Sequence, residues 1–360
     1  MSQLCSLGVI FGGQSSEHEV SLMSAASILE NLDPSRYQVH KVGITKEGRW
    51  LLYNGPVSGL KDGTWQRDAV PAFLSPDPSV HGLVVLDGDT ARTIWLDCVF
   101  PALHGKNGED GSIQGLFSLS GVPYVGCGVL SSAVCMDKAV THTLLSAANI
   151  RQAHYLWFYT HRYNAAPETV RNKIEARLNF PVFVKPANAG SSVGVSKVES
   201  PDGLDEAIRK AAREDGKVIV EEGIAGQEVE CAVLGSRNGA QASIVGEIGA
   251  SAQFYDYDDK YVNGTSQLFI PARLEDSVAQ EIRETALRAY RLLGCTGLAR
   301  VDFFVTQEGS QVVLNEINTL PGFTSISMYP KLWMAGGYTY GELLDRLIEL
   351  ALEEAAEVNG

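Results

Sequence analysis

Between residues 299 and 324, two short runs carry two carboxylates, an amide and a guanidinium at alternating positions. The first is Ala299-Arg300-Val301-Asp302 and the second is LNEINTLPGFT. On a strand, residues two apart share a face, so Arg300 and Asp302 point one way, as do Glu316 and Asn318. If the runs pair as a hairpin around residues 307–310, the four groups converge. Such oxygen donors suit Mg²⁺, a hard cation that often shares its ligands with phosphate. The arginine can stabilise charge on a phosphoryl group in transfer. A solvated face with a salt bridge explains the charges less well, because Val301, Phe303, Leu314 and Ile317 supply the apolar side of a buried hairpin.

A second run is Val184-Lys185-Pro186, followed by Asn188-Ala189-Gly190-Ser191-Ser192-Val193-Gly194-Val195. Lys185 ends the apolar run FPVFV, a costly place for an ammonium without an anionic partner. The GSSVGV segment can form a tight loop whose N–H and hydroxyl donors suit phosphate oxygens, although a plain hairpin turn would read the same way. It lacks GxxxxGK[ST] and is no Walker A loop. Residues 218–228, VIVEEGIAGQE, end a strand in carboxylates. Glu221 and Glu222 suit either an adenine edge or solvent, and Glu228 suits ribose hydroxyls. Lys138 in CMDKAVT opens a helix, which alone says little.

Near the start, Gly12-Gly13-Gln14-Ser15-Ser16-Glu17-His18 forms a strand-to-helix turn suited to anionic groups. Without GxGxxG there, a dinucleotide fingerprint is unsupported, and with it a dehydrogenase. His18 reads as a surface or capping residue, and Glu17 as a binder of a substrate ammonium. His104-Gly105-Lys106-Asn107-Gly108-Glu109-Asp110-Gly111 follows an apolar strand, where α/β sheets place ligands, and is equally readable as a plain glycine-rich loop.

These residues need elements to hold them. From residue 4 to about 141, apolar runs alternate with helical stretches, implying a mainly parallel sheet covered on both faces. Residues 52–92, rich in Gly, Pro and Asp with only HGLVVL strand-like, are expected to be a surface elaboration without chemistry. From about 137 to 236, FPVFVKPA, GVSKVES, KVIVEEGI and QEVECAVLGS suggest an antiparallel sheet with one helix near 203–213. Beyond 243 come a strand, a polar aromatic loop, a helix over 276–293, the hairpin and a final helix near 340–355. The domains expected are 1–140, 141–236 and 237–360, as α/β and α+β lobes around a common cleft.

The chain has 360 residues, 45% hydrophobic and 20% charged, with a formal charge of −14. That charge excludes a general nucleic-acid binder but not a nucleotide held by local lysines. No apolar run is long enough for a membrane helix, and the N-terminus lacks a signal peptide's basic flank and cleavage site. The six cysteines form no CxxC pair and read as reduced core thiols of a cytoplasmic protein.

Together the strings FGGQSSEHEVS, LHGKNGEDGSIQG, GVPYVG, MDK, FVKPANAGSSVGVS, VEEGI, YDYDDKY, ARVDFF and NEINTLPGFTSISMYP resemble the D-alanine–D-alanine ligase family of the ATP-grasp fold. The resemblance implies an enzyme that joins two D-alanines for peptidoglycan precursors, using ATP through a D-alanyl phosphate. It implies that Lys138, Lys185, Ser192, Phe254 and Lys260 contact ATP, that Glu221, Glu222 and Ile224 line its base, and that Glu228 meets its ribose. Asp302, Glu316 and Asn318 would hold two Mg²⁺, with Mn²⁺ as a substitute. Glu17 would hold the first D-alanine ammonium; His104, Ser327 and Met328 would contact substrate. Arg300 and the Gly322 N–H would stabilise the oxyanion. Tyr261 would join Glu17 and Ser191 in a hydrogen-bond chain, on a closing loop around 250–268. A homodimer is implied as well. Two rivals keep the fold: a ligase forming the D-alanyl–D-lactate ester, disfavoured by Tyr261, and a non-catalytic ATP binder, disfavoured by the intact Arg300, Asp302, Glu316 and Asn318.

Overall fold

The computed structural model describes residues 4–190, 192–249, 267–306 and 311–359. The first part contains β1 (Cys5–Gly12), α1 (His18–Asn31), β2 (Tyr37–Ile44), β3 (Trp50–Tyr53), α2 (Ser58–Lys61), β4 (Ala69–Leu74), β5 (Gly82–Asp87), β6 (Thr90–Trp95), β7 (Cys98–Leu103), α3 (Ser112–Ser120) and α4 (Val129–Met136). Its strands form one sheet in the order β6-β5-β4-β3-β2-β1-β7. β1 is parallel to both β2 and β7, and Leu7 to Gly12 are all buried, as a doubly covered strand requires. Because the chain passes from β1 to β2 on one side and returns at β7 on the other, the carboxyl ends of β1 and β7 open a crevice.

Residues 52–92 differ from expectation. Instead of a surface elaboration they extend the sheet antiparallel, through β3 to β6. Leu52, Leu74, Leu83 and Val85 are buried in its core. The strands are short and separated by Gly/Pro/Asp turns, so turn composition masks them.

The middle part contains α5 (Lys138–Ala147), β8 (Tyr155–Tyr159), α6 (Thr160–Ala165), α7 (Pro167–Arg177), β9 (Val182–Pro186), β10 (Ser196–Val198), α8 (Leu204–Glu214) and β11 (Lys217–Glu222). The strands pair antiparallel in the order β10-β9-β11-β8. Helix α8 buries Leu204, Ala207, Ile208 and Ala211, the 3–4 spacing of a helix seated by one face.

The last part contains β12 (Gly226–Ser236), β13 (Gly239–Gly249), β14 (Gln267–Phe269), α9 (Asp276–Leu292), β15 (Gly297–Thr306), β16 (Val312–Asn318), α10 (Met328–Ala335) and α11 (Tyr340–Asn359). Its sheet runs β14-β13-β12-β15-β16. The QEVECAVLGS strand, β12, therefore leaves the middle stretch with which its pattern groups it and pairs with β13 and β15. Helix α11 joins Leu343, Leu344, Leu347 and Ile348 to Ile28 and Tyr37 of the first part and to Ala232 and Leu234 of β12 in one core. This shared core fixes the first sheet against the third. All six cysteines are free thiols. Among the described residues no helix is long and apolar enough to cross a membrane.

Candidate active site

A cavity of about 530 Å³ opens between the middle and last sheets, within the usual range for small-molecule sites. Strand β9 brings Lys185, β11 brings Glu221, β16 brings Glu316 and Asn318, and α5 brings Lys138. The Met-Asp-Lys string shows how α5 is set. Asp137 caps the helix by accepting from Val140 N at 3.1 Å, and its carboxylate also binds Lys217 Nζ at 2.8 Å. Lys138, the first helical residue, donates from Nζ to Ala189 O at 2.7 Å and so braces the glycine-rich loop. In that loop Val193 N bonds Gly190 O and Val195 N bonds Ser192 O. Ser192 has φ +59°, a left-handed turn that brings its successors into line with the cavity.

Lys185 does have the anionic partner its position calls for. Its Nζ donates to Glu221 Oε2 at 2.7 Å, and Glu221 Oε1 lies 3.0 Å from His142 Nε2. Burial alone would lower the Lys185 ammonium, but the charge and hydrogen bond of Glu221, with the charges of Glu316 and Glu228, together outweigh it and the net shift is upward. Burial likewise would raise Glu221, yet Lys185 and His142 hold its carboxyl far below the usual carboxylate range. The carboxylate of Glu222 instead accepts from the Asn179 backbone and side chain at 2.7 and 2.9 Å. Ile224 and Glu228 line the cavity.

On the third sheet Asp302 stands opposite Glu316, and Arg300 opposite Asn318, with a bulge after Asp302. The four side chains therefore share a face, as alternation predicts. Arg300 donates to Asp302 from Nε and Nη2 at 2.8 and 2.7 Å, and its Nε lies 3.0 Å from Glu230 Oε2. Asn318 Nδ2 donates to Asp302 Oδ2 at 3.0 Å. Although burial works against it, the two carboxylates raise the Arg300 pKa well above the usual arginine range. Among the described residues no group of three or more His, Cys, Asp or Glu is gathered as a metal site. The candidate set is two carboxylates and an amide. Its oxygen donors fit a hard cation that takes its other ligands from water and phosphate, provided Asp302 exchanges Arg300 for the ion.

Glu17 sits at the start of α1, 7% exposed, in the crevice beyond β1 and β7. A Cβ at Gly105 would come within 2.4 Å of its Oε2, and one at Gly190 within 2.9 Å. Glycine at both positions lets the first and middle parts close on this carboxylate. Glu109 accepts from Gly105 N at 2.7 Å and lines the cavity. Burial, and then the Glu17 charge, push its carboxyl up to about 8. His18 is structural, its Nδ1 bonding Gly13 O at 2.9 Å.

His104, expected at the substrate, has both ring nitrogens engaged elsewhere. Nδ1 donates to Leu320 O at 3.1 Å, and Nε2 lies 2.9 Å from Ser24 Oγ, which accepts from Phe323 N at 3.3 Å. A carbonyl only accepts, so the proton is on Nδ1 and Nε2 takes the serine hydroxyl's. His104 thus clips the segment around Gly322 to the end of β7 and to α1. Ser327 Oγ accepts from Thr324 N at 3.0 Å beside Gly322, where a Cβ would approach it to 2.7 Å. Met328 is a correction: its side chain is buried in the core, with its sulfur against Gly246, rather than facing substrate. Ser191, Phe254, Lys260 and Tyr261 lie outside the described residues. Four contributors escape the sequence reading: Ser24, His142, Gln152 and Glu230. Two carried a signal, because Glu230 follows Glu228 at strand spacing and His142 follows Lys138 at helix spacing.

Residues 6–127 match the family model of the D-ala D-ala ligase N-terminus, and residues 144–349 that of the D-ala D-ala ligase C-terminus. The chain belongs to the D-alanine–D-alanine ligase family. It is therefore an enzyme, an ATP-dependent ligase of ATP-grasp fold. A relative from Caldicellulosiruptor bescii, named D-alanine–D-alanine ligase, is 49% identical over 97% of this chain and 95% of its own. One of the same name from Acetivibrio thermocellus is 50% identical over 96% and 95%. Among solved structures, the VanG D-Ala:D-Ser ligase from Enterococcus faecalis has a TM-score of 0.88 at 43% identity, covering 97% of this chain and 100% of that one. The D-alanine–D-alanine ligase from Coxiella burnetii has a TM-score of 0.85 at 36% identity, covering 99% and 97%.

Proposed function

We propose that the chain joins two D-alanine molecules into D-alanyl-D-alanine, a peptidoglycan precursor, converting ATP to ADP and phosphate. The observation that carries this reading is the meeting of Lys138, Lys185, Glu316 and Asn318 in one cavity, with Glu17 enclosed between Gly105 and Gly190 beside it. Lys138 and Lys185 bind the ATP phosphates, and the β11 edge with Ile224 takes the adenine. Glu17 holds the ammonium of the first D-alanine. The carboxylate oxygen of that D-alanine attacks the γ-phosphorus, ADP leaves, and D-alanyl phosphate forms. Such transfer depends on positioning and charge stabilisation more than on protein nucleophiles. The neutral amine of the second D-alanine attacks the carbonyl. Arg300 and the Gly322 N–H stabilise the tetrahedral oxyanion, the C–O bond to phosphate breaks, and the amine proton is lost. Asp302, Glu316 and Asn318 would hold Mg²⁺, which when bound neutralises phosphate charge.

The roles of Ser191, Phe254, Lys260 and Tyr261 rest on the family resemblance, as do the homodimer and a cytoplasmic location. The ester-forming alternative is not favoured by relatives that share about half their sequence with this chain. The likeness to a D-Ala:D-Ser ligase makes D-serine the acceptor to test. Equal D-alanine, D-serine and D-lactate should be supplied with Mg-ATP and the products separated by mass spectrometry. D-alanyl-D-alanine is expected as the main product; a dominant D-alanyl-D-serine or D-alanyl-D-lactate would overturn the acceptor.

A further inference from the structure

We propose that His142 is a nucleotide-positioning residue: it keeps Glu221 paired when Lys185 turns towards the phosphates of bound ATP. This rests on the reading of the cavity as an ATP site. Glu221 is only 4% exposed, and its two oxygens are divided between two donors, Lys185 on Oε2 and His142 on Oε1. To serve a phosphate, the Lys185 ammonium must share or surrender its bond to Glu221. A buried carboxylate that loses its only ionic partner is strongly destabilised, so ATP binding would work against itself. A second partner on the other oxygen removes that penalty.

His142 is built for this role. Its Nδ1 lies 2.5 Å from Gln152 Oε1. The orientation of the Gln152 amide follows from its nitrogen, which donates to His142 O at 2.7 Å and to Ser146 Oγ at 2.5 Å. A backbone carbonyl can only accept, so oxygen faces the ring. Both ring nitrogens therefore face acceptors and both must donate, which makes the ring a cation in this arrangement. The ring also stacks on Tyr155, with centroids 4.7 Å apart at 26°. His142 lies four residues after Lys138, one turn along the same face of α5. One helix thus supplies a lysine to the glycine-rich loop and a fixed cation to Glu221, while Lys185 on the strand is the cation left able to move.

The test is titration calorimetry of the full chain with a non-hydrolysable ATP analogue and Mg²⁺, alongside steady-state kinetics. His142→Asn is expected to weaken analogue binding by about tenfold or more and to raise the KM for ATP in step. The KM for D-alanine should stay within about twofold, a split that general loosening of the fold would not produce. His142→Lys, which restores a cation at that helix position, should recover most of the affinity. A folded His142→Asn variant that binds the analogue as the parent does would overturn the proposal. If that variant does not fold, a folded His142→Lys with parental affinity supports it, and one with tenfold weaker binding overturns it. Failure of the parent itself to bind the analogue would instead remove the ATP reading on which it rests.

Discussion

Asp302 accepts two bonds from Arg300 while standing opposite Glu316, so replacing it disturbs both the arginine and the proposed cation site. Glu316→Gln is the cleaner variant. It should lower kcat by about a hundredfold or more, because a metal's contribution to phosphoryl transfer is several kcal/mol, and leave the melting temperature near the parent's. Near-normal turnover at saturating Mg²⁺ would return Glu316 to a structural role. Glu109 supplies a pH signature. Its folded pKa of about 8 lies above the ordinary 4.5, so the native state keeps a proton that the unfolded chain gives up. The stability from this group is fully present below pH 4.5 and is lost as pH rises towards about 8. In Glu109→Gln, which cannot ionise, denaturant unfolding between those limits should show a shallower fall with pH. An unchanged slope would show that Glu109 titrates normally.

The clip from His104 and Ser24 to residues 320–323 joins β7 and α1 to the segment before α10. Ser24→Ala removes the hydroxyl that links His104 to Phe323 N. It is expected to reduce kcat by about tenfold, since small misplacements of reacting groups are costly, with the KM for ATP unchanged. A raised KM for ATP with unchanged kcat would contradict positioning of Gly322 by this clip. The elements carrying the late hairpin, α8, α9 and α11 are legible in sequence because each buries one face at its own period. The strands β3 to β6 are not, because they are short and turn-rich. β12 is legible as a strand, but its sheet is not, since pairing between distant strands leaves no mark on local pattern. Residues that position another residue are equally hidden: Ser24 and Gln152 bond histidines 80 and 10 positions away.

At the scale of the whole molecule, the three parts meet so that the first delivers Glu17 from the start of α1, the middle one Lys185 from its sheet and Lys138 from α5, and the last one the arginine and carboxylates. Such an assembly suits an intermediate too reactive for open water: the acyl phosphate must form and be consumed in one enclosed place. The direct measurement uses D-alanine whose carboxylate carries heavy oxygen, incubated with Mg-ATP, with the released phosphate examined by phosphorus NMR or mass spectrometry. The carboxylate oxygen that attacks the γ-phosphorus departs with it when the amine displaces phosphate. One labelled oxygen per inorganic phosphate, in step with D-alanyl-D-alanine, is the expected result. Dipeptide formed together with unlabelled phosphate would contradict passage through D-alanyl phosphate.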